Sequence, residues 1–118
     1  MMYETFDNCG EINTGLAIEA IAEEVHANAR EKGFWDTERS DGELIALMHS
    51  ELSEGLEALR KGLDSDHLPG FLGIEEEMAD VIIRVLDYCA GRGLRIESAI
   101  TAKMHYNRTR ERMHGKKF

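Results

Sequence analysis

Apolar residues recur every three or four positions in four stretches of the chain, and this period predicts four helices. The first spans 14–32, with Ile18, Ile21, Ala22, Val25 and Ala29 on one stripe and Gly33 as its stop. The second spans 41–61. Ser40 and Glu43 form an S-x-x-E capping box at its start, and Gly62 follows its end. Its apolar face holds Leu44, Leu47, Met48, Ala58 and Leu59. The third spans 74–92, striped by Ile74, Met78, Val81, Ile82 and Val85, and closed by Gly91 or Gly93. The fourth spans 96–112, ahead of Gly115. No segment reads convincingly as a strand.

The connections add the architecture. Residues 34–39 are a short link, and 63–73 form a polar loop with Asp64, Ser65, Asp66, Pro69 and two glycines. The link at 93–95 is tight, which predicts that the third and fourth helices are antiparallel neighbours. The expected fold is all-α, a four-helix bundle in one domain over 1–118. Residues 1–13 are read as an N-terminal extension and 113–118 as a basic tail.

Composition narrows the class. The chain has 118 residues, 42% hydrophobic and 31% charged, a globular balance for one domain. The single proline, Pro69, lies between helices, so long helices are permitted. No apolar run approaches the roughly 20 residues needed to span a bilayer. Residues 1–10 lack the basic-then-apolar pattern of a signal peptide. Cys9 and Cys89 are far apart and in no metal-ligand spacing, which points to a reducing, cytoplasmic setting. A net charge of −9 disfavours nucleic acid as a partner. It leaves room for a phosphorylated small molecule whose charge a divalent cation screens.

Carboxylates interrupt the apolar faces. At about 100° per residue, Glu51 falls near the middle of the second helix's apolar face and Glu54 on its edge. A buried, unpaired carboxylate is costly, so Glu51 calls for a cation. Gly55, weaker than Ala in a helix by roughly 1 kcal/mol, suggests close approach of another segment or a ligand. On the third helix, Glu77 and Asp80 lie together, three residues apart, beside the apolar stripe. Packed side by side, the two helices bring Glu51, Glu54, Glu77 and Asp80 together. Oxygen ligands without His or Cys suit Mg²⁺ or Mn²⁺. Glu57, Glu75, Glu76 and Asp87 are expected on solvated faces.

The ordered motifs Glu51-x-x-Glu54 and Glu77-x-x-Asp80 resemble those of the MazG-like all-α NTP pyrophosphohydrolases. The segments 47–54 and 76–81 look like the two family motifs, and 103–117 is similar to the end of many single-domain members. The resemblance covers about residues 16–118. Many members carry two adjacent glutamates at the first motif; here the first is Ser50. The family implies conversion of an NTP or dNTP to the monophosphate and pyrophosphate, with Mg²⁺, by a homodimer or homotetramer.

On that basis Glu51, Glu54, Glu77 and Asp80 are the expected metal ligands and catalytic groups. The metal lowers the pKa of a water that attacks the α-phosphorus, with Glu54 a candidate general base. Lys103, Asn107, Arg110, Lys116 and Lys117 are the expected phosphate contacts. Trp35 either walls a slot for the base or plugs the end of the bundle. His49 is read as a bystander. Two alternatives remain: a di-iron carboxylate bundle using Glu23-x-x-His26 and Glu111-x-x-His114, and a non-catalytic helical interaction module. Against the first, Glu23 and His26 are expected to rotate away from the apolar stripe.

Overall fold

A computed structural model describes residues 14–118. The expected extension 1–13, with Cys9, lies outside the described residues. The four predicted helices form: α1 (Thr14–Glu31), α2 (Asp41–Lys61), α3 (Gly73–Arg92) and α4 (Ile96–Arg108). The fold is all-helical, with no strand among the described residues. A single bridge between Asp64 and Leu72 closes the base of the α2–α3 loop.

Local chemistry sets the ends. The Ser40 hydroxyl accepts the Glu43 N–H at 3.1 Å, satisfying a donor that the first turn leaves free. At the start of α3 the Glu75 carboxylate accepts the Leu72 N–H at 2.8 Å. Gly62 and Gly93 stop α2 and α3 in the left-handed region, at φ 63° and 68°, which glycine enters without steric cost. The fourth helix ends four residues before the expected 112. There Thr109 bends back on Tyr106, donating both its N–H (3.0 Å) and its hydroxyl (2.7 Å) to that carbonyl. A short 3-10 turn, Arg112–Gly115, follows.

Packing centres on α3. Helices α2 and α1 both lie against it, and α4 rests lightly on α1. The expected pairing of α3 with α4 is therefore corrected. The left-handed turn at Gly93 redirects the chain away from α3, and α4 meets α1 instead. Close approach of α2 and α3 is built into Gly55, as its sequence position suggested. A Cβ there would sit 3.0 Å from Ile74 Cδ1 and 3.1 Å from Met78 Cε.

The buried apolar side chains are small or few: Ala22, Ala58, Leu86 and Cys89. Ile21, Leu59 and Ile82, placed by periodicity on inward stripes, are instead largely exposed; Leu59 is 61% exposed. Each helix meets only part of its neighbours' surface, so only part of each stripe is covered. No helix among the described residues is long and apolar enough to cross a membrane.

Candidate metal centre and cleft

Gly55 lies one turn beyond Glu51 on α2 and lets α3 come close. That approach brings Glu51 against the Glu77–Asp80 pair. Glu51, Glu77 and Asp80 each place a carboxylate oxygen within 4.8 Å of the other two. Glu51 is buried, at 8% exposed. Three of the four expected ligands thus meet. Glu54 stands outside this group and is exposed, although its charge still acts on Glu77 and Asp80.

The electrostatics follow from crowding. Burial, then the facing Glu51 carboxylate, then the charge of Glu54 push the Glu77 carboxyl up to about 7. Burial and the Glu51 charge also raise Asp80, with Arg84 partly opposing them. Arg84 Nε donates to Glu51 Oε2 at 2.7 Å. Three carboxylates against one guanidinium leave a surplus of two negative charges when all are ionised. Glu77 Oε1 is buried without a hydrogen-bond partner. A buried orphan oxygen, hard oxygen donors and that surplus fit a divalent cation such as Mg²⁺ or Mn²⁺.

Among the described residues no other group of three or more acidic, His or Cys side chains converges in this way. Glu23 and Glu111 are exposed, and His26 bonds elsewhere, so the ligands of a di-iron bundle are not assembled. His49 is exposed and stands apart from the acids.

A cleft of about 590 Å³ opens beside the acids. Glu51, Asp80 and Arg84 line it, together with Val25, Phe34, Trp35 and Asp87. Asp87 is seven residues beyond Asp80 on α3, about 10 Å along the helix. It was expected on a solvated face; instead it is mostly buried and binds two donors. Trp35 Nε1 donates to Asp87 Oδ1 and Oδ2 at 3.0 and 3.1 Å, and His26 Nδ1 lies 2.8 Å from Oδ1. His26 also stands edge-on to the Trp35 ring, with centroids 5.0 Å apart. The expectation that His26 turns away from the packed side is therefore corrected. Its partner is 61 residues distant, outside the range of helix periodicity.

No known protein family matches this chain, and no curated protein or solved structure does either.

The expected phosphate contacts lie elsewhere in the single chain. Lys103 Nζ sits 4.7 Å and the Arg110 guanidinium 5.5 Å from the centre of the Tyr106 ring. Asn107 Oδ1 is buried without a partner, and Lys116 and Lys117 are exposed. None of these five lines the cleft, whereas Arg39 and Arg84 do. Arg84 was legible in principle. It is four residues after Asp80 and seven after Glu77, so it shares their face of α3. Arg39, in the α1–α2 link, carries no such periodic signal. Glu76 also departs from a plain solvated role. It accepts from the Ser65 hydroxyl at 2.5 Å and pairs with His67 at 2.7 Å, and these partners hold its carboxyl below the usual range.

Proposed function

We propose that this chain is a Mg²⁺-dependent nucleoside triphosphate pyrophosphohydrolase of the MazG-like type, taking an NTP or dNTP to the monophosphate and pyrophosphate. One observation carries the proposal: Glu51, Glu77 and Asp80 converge around a buried, unpartnered Glu77 oxygen, and two of them, Glu51 and Asp80, line a cleft that also has an aromatic wall.

In this reading Glu51, Glu77 and Asp80 hold the cation, and Mn²⁺ can replace Mg²⁺. Bound there, the cation screens the triphosphate charge and makes water more acidic. Arg84 fixes the orientation of Glu51 through the 2.7 Å bond. Glu54, exposed on α2 one turn from Glu51, accepts the proton of the water whose oxygen attacks the α-phosphorus. The bond from that phosphorus to the β-phosphate oxygen breaks, and pyrophosphate leaves. Arg39 and Arg84 stand on the cleft wall where phosphate charge needs partners. Phe34 and Trp35 offer surface to the base.

A second copy of the chain covers the exposed Leu52, Leu56, Leu59 and Ile82, giving a homodimer or a homotetramer. Lys103, Asn107, Arg110, Lys116 and Lys117 reach phosphate only if such a copy brings them to the cleft.

A panel of NTPs and dNTPs with Mg²⁺ tests the activity. At least one nucleotide should yield pyrophosphate and monophosphate in equal amounts. Glu54→Gln and Asp80→Asn should abolish turnover with helicity intact. Folded protein inert toward the whole panel would support the non-catalytic interaction module instead.

A further inference from the structure

Asp87 takes no part in the acid cluster, yet it is the most heavily used carboxylate in the cleft. It receives the Trp35 indole N–H on both oxygens and lies 2.8 Å from His26 Nδ1. These donors come from the α1–α2 link and from α1, while Asp87 itself sits on α3. One carboxylate thus ties three segments. The ring it holds is further constrained. A Cβ at Gly91, one turn beyond Asp87, would run into the Trp35 ring. His26 closes on the ring edge, and the Arg92 guanidinium lies 5.6 Å from the ring centre.

A ring that merely plugged the bundle end could rest on aliphatic neighbours. Here a mostly buried carboxylate is spent on fixing its orientation, and the same ring lines the cleft with Asp80 and Glu51. We propose that Asp87 is a positioning residue: it sets the aromatic wall formed by Trp35, and through it the affinity for the nucleotide base. The inference rests on the nucleotide reading for its ligand. It stands on the hydrogen bonds and the glycine seat for its geometry.

Trp35 is the only tryptophan, so its emission reports the position of this ring directly. In Asp87→Ala the ring loses its anchor. Emission should shift to the red and acrylamide should quench it more strongly. KM for the preferred nucleoside triphosphate should rise about tenfold, the equivalent of one lost hydrogen bond. The kcat value should stay within about twofold, because the acid cluster is untouched. Asp87→Asn keeps an acceptor for the indole N–H, so it should restore emission and most of the affinity. Should Asp87→Ala not fold, Trp35→Phe keeps an aromatic ring without an N–H and carries the same KM and kcat test. Unchanged emission and quenching in Asp87→Ala, or a fall in kcat at constant KM, would overturn the proposal. Failure of the wild-type protein to bind any NTP or dNTP with Mg²⁺ would overturn the affinity claim and the nucleotide reading together. The emission shift would then decide the positioning claim by itself.

Discussion

Glu51, Glu77 and Asp80 lie on two helices that pack directly, whereas Lys103, Asn107 and Arg110 lie on or just beyond a helix that barely touches the rest of the chain. The acids converge within 4.8 Å; the basic group gathers around Tyr106, away from the cleft. The signals were alike: charged or polar residues three or four apart along one predicted helix. What separates the outcomes is the connection. Spacing on a helix fixes which side chains share a face, and Gly55 fixes a close neighbour for that face. Beyond the left-handed turn at Gly93, nothing in the local pattern states where α4 goes.

The largest effect is expected at the acids. Asp80→Asn or Glu77→Gln should lower nucleotide turnover at least about 100-fold, more than losing an outer partner of a metal ligand costs. Retained turnover, measured as pyrophosphate release, would detach the acids from the chemistry. Arg84→Ala comes next. It leaves the buried Glu51 without its guanidinium and should weaken Mg²⁺ affinity by about 10- to 100-fold. Thermal stability lost without metal should be partly regained with Mg²⁺.

A smaller effect is expected from pH. The Glu77 carboxyl is raised from its ordinary 4.5 to about 7, so the folded chain keeps a proton that the unfolded chain releases. The stability from this group is therefore full below about 4.5 and is lost as pH rises through about 7. A divalent cation supplies the positive charge that the proton supplied. The rise in Tm produced by Mg²⁺ should accordingly be larger at about pH 8 than at about pH 5.5, by scanning calorimetry. An equal rise at both would remove Glu77 from the site. The smallest effect belongs to the tail. Lys116→Ala with Lys117→Ala should leave Mg²⁺ affinity within about twofold of wild type, because neither residue lines the cleft.

The sequence was most legible where physics is local. Ser40 and Gly62 mark both ends of α2, and its extent agrees with the pattern to the residue. The inward placement of Glu51 followed from rotation about one helix axis. Periodicity finds a stripe but not how much of it a neighbour covers, which is why Ile21, Leu59 and Ile82 face outward. The Trp35–Asp87–His26 cluster joins residues 52 and 61 positions apart, and no short-range rule links them. One member of that cluster, Asp87, was still within reach, as was Arg84 beside the acids. Arg84 and Asp87 follow Asp80 by four and seven, so both belong to the acid face of α3. Glu54 illustrates the opposite limit. Its motif spacing is right, but an edge position on α2 leaves it outside the group that meets.

Titration calorimetry with Mg²⁺ tests the shared cation site most directly. Wild-type protein should bind saturably, with proton release near pH 7 as the cation displaces the proton on Glu77, and Asp80→Asn should lose that binding. Wild-type protein that takes up neither Mg²⁺ nor Mn²⁺, or an Asp80→Asn variant that binds as tightly as wild type, would contradict the shared site.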